Sequence, residues 1–280
     1  MRKPLRFELE AAGQLGHVFA SLRPASGPQG KQQPASGGRP DAGPSRPAVV
    51  LVHGIGVSHR YLDRLHNVLA ETVDTYSVDL PGFGSTPRPA HTLTAADHAT
   101  YVLGALEQLG VRDMVFVGHS MGVQFGIEAA LQQPERVRQL VLMGPVVDPK
   151  RRTVAQQALA LGCDSLFFES PSSNAVVLSD YLRCGPTWYI KTLRVMMDYR
   201  TEDRITGVTA PVLVVRGSND PVAGAEWSRL LASRAPAGRL VEIRGSGHVV
   251  QHNRAVEVAG AITSFAGLPA ASGTPQEFRA

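Results

Sequence analysis

The sequence lacks the features that mark several large classes of protein. It has only two cysteines, Cys163 and Cys184, so a disulfide scaffold is excluded, and no histidine or cysteine spacing resembles a zinc site. No run approaches the roughly 20 consecutive apolar residues of a membrane-spanning helix. The N-terminal residues lack the apolar core of a signal peptide. We therefore expect a cytoplasmic protein without a stable membrane anchor.

Concentrated charge of one sign is also scarce. The net charge is +4, from 28 basic and 24 acidic residues, and the only dense basic cluster is Lys150–Arg152. A scattered distribution of this kind is typical of a solvated surface, and no nucleic-acid-binding motif is present. The sequence therefore favours a small-molecule substrate over a nucleic acid, and it leaves the oligomeric state open.

Apolar residues make up 43% of the 280 residues, which is enough for a full hydrophobic core. Residues 24–47 are different, since they contain 6 Pro and 5 Gly and almost no apolar side chain. Such a segment cannot offset the entropy lost on ordering, so we predict a disordered surface loop. The remaining chain is long for one domain, which indicates an α/β domain with an insertion.

Short apolar runs alternate with helical patterns along most of the chain. Strands are predicted at residues 48–53, 75–80, 115–117, 139–143, 211–216 and 240–243, after an N-terminal hairpin. This alternation is typical of a mostly parallel sheet with helices on both faces. It is interrupted at residues 146–206, which offer only helical patches, such as residues 154–161 and 187–199. We predict a core of residues 1–145 and 207–268, a helical lid of residues 146–206 and a loose tail of residues 269–280.

One serine lies where a strand is predicted to meet a helix. Ser120 is the centre of Gly118-His119-Ser120-Met121-Gly122, which follows the apolar run ending at Val117. A sharp turn here needs small residues on both sides, because the strand end and the helix start come close together. The helix N-terminus then favours negative charge near the serine oxygen. We interpret Ser120 as a nucleophile.

A serine hydroxyl is a weak nucleophile and needs a base and a group that orients the base. His248 follows the last predicted strand in a glycine-rich loop, and Asp220 follows the strand that ends at Arg216. Both therefore lie at the carboxyl edge of the sheet, where ligands bind in open parallel sheets. Asp148 is a competing acid, and His53, His119 and His252 also lie near this edge.

The order Ser120, Asp220, His248, with His53-Gly54-Ile55-Gly56 before the serine, resembles the α/β-hydrolase superfamily. The resemblance implies the α/β-hydrolase fold with a helical lid insertion. It also implies a catalytic triad of these three residues and an oxyanion hole made by the backbone N–H groups of Ile55 and Met121. No metal or organic cofactor is indicated. The serine argues against dehalogenases and epoxide hydrolases of the superfamily, which carry an aspartate at this position.

The predicted lid contains several large apolar side chains. Four of them are candidates for a substrate pocket, namely Phe168, Trp188, Tyr189 and Met196. The same side chains could instead pack the lid onto the core. On this basis we predict hydrolysis of a carboxylic ester of a small to medium apolar acyl or aryl substrate through an acyl-enzyme.

The serine motif also resembles carbon–carbon bond hydrolases of aromatic degradation, which act on dienoic acids. Those enzymes typically show Asn before the serine and Trp after the histidine, where this chain has His119 and Val249. Arg183 or Arg194 in the lid would be available to bind the carboxylate of such a substrate. Carbon–carbon hydrolysis is therefore the alternative, beside an acyltransferase with the same triad and a non-catalytic member, which ordinarily loses a triad residue.

Overall fold

An eight-stranded sheet forms the centre of the molecule. The computed structural model describes residues 3–23 and 47–278, so the predicted loop of residues 24–47 lies outside the described residues except for Pro47. The strands are β1 (Leu5–Ala11), β2 (Gln14–Ser21), β3 (Ala48–Val52), β4 (Thr75–Asp79), β5 (Met114–His119), β6 (Val137–Met143), β7 (Val212–Gly217) and β8 (Arg239–Ile243). Their order is β1-β2-β4-β3-β5-β6-β7-β8, with β2 antiparallel to both neighbours and the others parallel. The predicted fold class is confirmed.

Helices connect the parallel strands. Within the described residues they are α1 (Asp63–Leu69), α2 (Ala95–Gln108), α3 (Gly122–Gln132), α4 (Val154–Phe167), α5 (Pro171–Cys184), α6 (Pro186–Asp198), α7 (Thr201–Arg204), α8 (Ala225–Arg234), α9 (Val250–Asn253) and α10 (Ala255–Ala266). Each of these helices is too short or too polar to cross a bilayer. The start of α2 shows how the sequence sets a boundary, because Thr94 and Asp97 form a reciprocal capping box there.

The central strands are buried on both faces of the sheet. In β3, Val50 and Val52 belong to the core formed with α2, α3 and α8, while Val49 and Leu51 belong to the core formed with α1 and α10. All four side chains are fully buried. Since successive side chains of a strand point to opposite faces, a strand covered on both sides is apolar throughout. This explains why the sequence shows no polar alternation there.

Residues 146–206, which we call the lid, lie between β6 and β7 and contain α4, α5, α6 and α7. The lid is held by side chains of the core that lie just after the ends of two strands. Gln124 donates to the backbone oxygen of Met196 at 2.9 Å, and Ser58 Oγ donates to Asp180 Oδ2 at 2.7 Å. Because Ser58 follows β3 and Gln124 follows β5, the lid is attached at the carboxyl edge of the sheet.

The fold differs from the sequence-based expectation in two places. Helix α5 is a complete helix, although its apolar pattern alone did not predict it; its signals are the Ser170 cap and Pro171 in the first turn. Parts of the tail between residues 269 and 278, which the sequence predicts to be loose, contact the core. Thr72 Oγ1 donates to the backbone oxygen of Pro269 at 2.8 Å, and Thr274 is buried.

Candidate active site

Ser120 occupies a strained turn between β5 and α3. Its φ is 58°, in the left-handed region that side chains other than glycine rarely adopt. A Cβ on Gly118 would overlap the backbone of Gly122, and a Cβ on Gly122 would overlap the backbone of Val52. The two glycines therefore allow the strand, the helix and the neighbouring β3 to meet, as the motif predicts. The turn stores about 1–3 kcal/mol of strain and fixes the serine backbone.

His248 and Asp220 form a buried pair at the same edge of the sheet. The imidazole donates from Nδ1 to Asp220 Oδ2 at 2.9 Å. The other carboxylate oxygen accepts the backbone N–H groups of Val222 and Ala223, at 2.8 and 2.9 Å. These bonds hold the carboxylate, which in turn selects the tautomer with the proton on Nδ1. In the neutral ring Nε2 of His248 is then an acceptor, and it has no hydrogen-bond partner among the described residues.

The pair is electrostatically coupled. Burial alone would lower the pKa of His248, but the Asp220 carboxylate, together with the more weakly acting Asp164 and Glu169, raises that pKa to about 9. Burial would raise the pKa of Asp220, but the adjacent imidazole and the two N–H donors lower it. The carboxylate therefore stays ionised, and it stabilises a positive charge on the imidazole.

The segment after β3 lies directly beside Ser120. A Cβ on Gly54 would lie 2.8 Å from the Cβ of Ser120 and 3.2 Å from its Oγ. His53 shapes this segment, because its Nδ1 donates to the backbone oxygen of Gly54 at 2.8 Å and its Nε2 accepts the N–H of Leu80 at 3.2 Å. His53 is thus a structural residue of the turn. Its neutral form is favoured, since burial lowers its pKa.

Ser120 and His248 border one cavity of about 320 Å³ under the lid. Its apolar wall includes Ile55, Val57, Val146, Leu161, Val177, Met196 and Val249, and its polar wall includes Tyr61, Gln157, Asp164, Ser165, Asn174, Tyr181 and Tyr189. No lysine or arginine lines this cavity in the part of the chain that the structure describes. The volume is at the low end of the range for small-molecule sites, about 300–1,000 Å³.

The four pocket candidates from the sequence separate into two groups. Tyr189 and Met196 line the cavity. Trp188 does not line it; the indole is buried against Phe83, with ring centroids 6.5 Å apart. Phe168 does not line it either, and its side chain is 40% exposed. The sequence shows that these residues are large and apolar, but it does not show which side of the lid faces the cavity.

The competing candidates have other partners. Asp148 caps a helical turn by accepting the N–H of Lys150 at 2.9 Å. His252 hydrogen bonds through Nε2 to Ser172 Oγ at 3.0 Å. Arg183 lies 3.6 Å from Asp180. None of Asp148, His252, Arg183 and Arg194 is among the described residues that line the cavity.

Sequence reasoning missed most of the polar wall of the cavity, including Tyr61 and Asp164. No motif marks Tyr61. Asp164 lies in α4, which the apolar spacing predicts only as far as Leu161. As the only charged residue of α4, Asp164 offers the one sequence signal that would have drawn attention to it.

Comparisons with known proteins agree with this architecture. A family model described as alpha/beta hydrolase matches residues 49–261. The chain is 25% identical over 247 residues to the uncharacterized hydrolase YugF of Bacillus subtilis, covering 79% of this chain and 90% of YugF. Two crystal structures are similar in fold. A hydrolase from Pseudomonas aeruginosa has a TM-score of 0.73 and 21% identity, covering 94% of this chain and 98% of its own. An enol-lactonase from Burkholderia xenovorans has a TM-score of 0.71 and 20% identity, covering 89% and 95%.

Proposed function

The chain belongs to the alpha/beta hydrolase family, and from that premise we propose that it is a serine hydrolase that cleaves a carboxylic ester of a small to medium apolar acyl or aryl group. The observation that carries the proposal is the buried His248–Asp220 pair, whose histidine lines the cavity that Ser120 also borders. Nε2 of His248 is an acceptor without a partner among the described residues, as a general base requires.

The reaction would proceed in two halves. Nε2 of His248 accepts the proton of Ser120 while Oγ attacks the ester carbonyl, and Asp220 stabilises the imidazolium that forms. The imidazolium then gives its proton to the departing alcohol, which leaves an acyl-enzyme. A water molecule repeats the sequence and releases the acid. The hydrogen bond between a catalytic serine and its histidine is often long without substrate and shortens when substrate binds.

The negative charge that develops on the carbonyl oxygen needs donors. In this proposal they are the backbone N–H groups of Met121, which follows the serine, and of Ile55, which follows Gly54. Neither N–H donates a hydrogen bond to another described residue. Loss of one such donor typically lowers kcat about 10²- to 10³-fold. The N-terminus of α3 adds a favourable dipole at the same place.

The cavity supports an uncharged ester over the dienoic acid of a carbon–carbon hydrolase. A dienoic acid carries a carboxylate, which proteins usually bind with arginine or lysine. No such side chain is among the described cavity residues, and Arg183 and Arg194 lie outside the cavity. Acyl transfer would use the same three groups with an alcohol or thiol in place of water, so only product analysis with an acceptor present separates it from hydrolysis.

The test is covalent labelling with a fluorophosphonate probe, beside turnover of short-chain p-nitrophenyl esters. The variants are Ser120→Ala and, as a matched control, Ser165→Ala, because Ser165 also lines the cavity. We expect labelling and turnover to disappear in Ser120→Ala and to persist in Ser165→Ala. A folded wild-type protein that the probe does not label would contradict the proposal.

A further inference from the structure

Two carboxylates of the lid bind the backbone of the histidine loop. Asp164, near the end of α4, accepts the N–H of His248 on Oδ1 at 2.7 Å. Glu169, between α4 and α5, accepts the N–H of Val249 on Oε1 at 2.8 Å. The lid therefore holds two consecutive peptide groups of the loop that carries His248. Charge-assisted bonds of this kind are about twice as strong as neutral ones.

Glu169 is held by two further hydrogen bonds. The second oxygen of Glu169 accepts from Asn253 Nδ2 at 2.7 Å and from Ser173 Oγ at 3.1 Å, so it joins the lid to α9. Asp164 is buried. A Cβ on Gly247 would overlap Asp164 Oδ1 and would lie 2.8 Å from Glu169 Oε1. Glycine at this position therefore lets the lid carboxylates reach the loop.

We propose that Asp164 and Glu169 are positioning residues for His248, so that the general base is correctly placed only while the lid is seated on its loop. This inference rests on the proposed function, in which His248 is the base. In this proposal the lid has two functions: it forms a wall of the cavity, and it supports the loop that carries His248. Asp164 acts in two ways, by holding the backbone N–H and by placing negative charge beside the imidazole.

The charged groups around His248 agree with the second role of Asp164, which is to place negative charge beside the imidazole. The groups that interact with its ring are Asp220, Asp164, Glu169 and His119. The three carboxylates all favour the protonated ring, whereas burial keeps His119 neutral by lowering its pKa to about 3. Burial raises the pKa of Asp164 to about 7, with Glu169 adding to the effect and His248 opposing it. When His248 takes a proton, the ionised form of Asp164 is favoured.

The experiment needs a readout that does not depend on turnover. The imidazole of His248 is titrated by NMR in the wild type, in Asp164→Asn and in Asp198→Asn. Asp198→Asn is the matched control, because Asp198 is an exposed carboxylate at the end of α6 in the same lid. The resonance is assigned among the nine histidines with His248→Gln. We expect the midpoint to fall by about 1 pH unit in Asp164→Asn and to stay unchanged in Asp198→Asn.

Kinetics with a p-nitrophenyl ester supplies the second readout. Asp164→Ala and Glu169→Ala remove the acceptors, and we expect kcat to fall about 10- to 100-fold with KM nearly unchanged. Asp164→Asn keeps an oxygen for the N–H and a similar volume, so it remains informative where the alanine variant does not fold; it should retain more of kcat than Asp164→Ala.

An unchanged midpoint in Asp164→Asn, or an unchanged kcat in Asp164→Ala, would overturn the positioning role. Failure of the proposed function has a different signature, namely the lack of probe labelling at Ser120 in the wild type, whatever the titration of His248 shows.

Discussion

His119, the residue before the serine, donates from Nε2 to the backbone oxygen of His248 at 3.0 Å. The two rings are 4.9 Å apart between centroids. The end of β5 thus holds the carbonyl group of His248, while the lid binds the N–H group of the same residue. A residue that the sequence presents only as a neighbour of Ser120 thus holds the backbone of His248, the proposed base.

The first prediction concerns the loss of the hydrogen bond from His119. His119→Ala leaves the buried carbonyl of His248 without its donor, and we expect the free energy of unfolding to fall by about 1–3 kcal/mol and kcat to fall with it. Urea unfolding and ester kinetics measure the two effects. The exposed His91 provides the control, since His91→Ala should change the stability by less than about 0.5 kcal/mol. Equal stability of the two variants would contradict the role of His119.

The second prediction concerns pH. His248 must be neutral to act as a base, and its pKa is held above its usual range by Asp220, so kcat/KM should rise with pH and reach half of its maximum above the ordinary histidine value of about 6.5. Asp220→Asn removes the carboxylate. We expect this variant to lose about 10⁴-fold in kcat and its rising limb to move to lower pH. If the rising limb of the pH profile lies at the same pH in Asp220→Asn as in the wild type, Asp220 does not set the pKa of His248.

Substrate charge gives the third prediction. The described cavity residues offer a carboxylate substrate no lysine or arginine, and Asp164 would repel it. We expect a p-nitrophenyl monoester that ends in a free carboxylate to have a kcat/KM about 10-fold or more below that of its methyl-capped analogue, since each factor of ten needs only about 1.4 kcal/mol. Equal rates for the pair would show that the cavity does not select by charge.

The strained turn at Ser120 gives the fourth prediction. Ser120→Ala keeps a Cβ at a φ of 58°, whereas Ser120→Gly removes it. Both variants should be inactive, but Ser120→Gly should be more stable than Ser120→Ala by about 1 kcal/mol. The comparison uses urea unfolding of the two variants. A glycine variant that is less stable than the alanine variant would mean that the backbone at this turn is not strained.

The anchor of the lid gives the fifth prediction. Asp180 on α5 is buried, accepts from Ser58 at 2.7 Å and pairs with Arg60 at 3.1 Å. Hydrogen bonds to charged groups contribute about 1.5–3 kcal/mol, so Asp180→Asn should loosen the lid. We expect faster amide hydrogen exchange over residues 171–184 and little change in β5. Exchange as slow as in the wild type would argue against Asp180 as an anchor.

Local patterns predicted the core well, for a physical reason. Strands that are covered on both faces are apolar throughout, and parallel strands that end at one edge bring Ser120, Asp220 and His248 to that edge. The expectation that Asp220 and not Asp148 pairs with His248 matches the hydrogen bond in the structure. Its catalytic role stays a prediction until the variants are measured.

The roles of the lid side chains were less predictable, because they depend on contacts with parts of the chain that are distant in sequence. Trp188 and Tyr189 are adjacent aromatic residues, yet one packs against Phe83 and the other lines the cavity. Helical spacing does not distinguish a face that packs on the core from a face that borders a cavity. Asp164 was missed for the same reason, since its partner is the backbone of a residue that is 84 positions away.

The bonds from Asp164 and Glu169 to the histidine loop have a consequence for protein engineering. Hydrolases with a shared core are attractive hosts for exchange of the lid, because a new lid brings a new cavity wall. In this protein such a chimera would lose the two acceptors for the loop unless the donor lid supplies carboxylates at equivalent places. With the proposed role of these carboxylates, substrate scope and catalytic geometry would be inherited together, so a successful graft must carry the short segment from Asp164 to Glu169 with it.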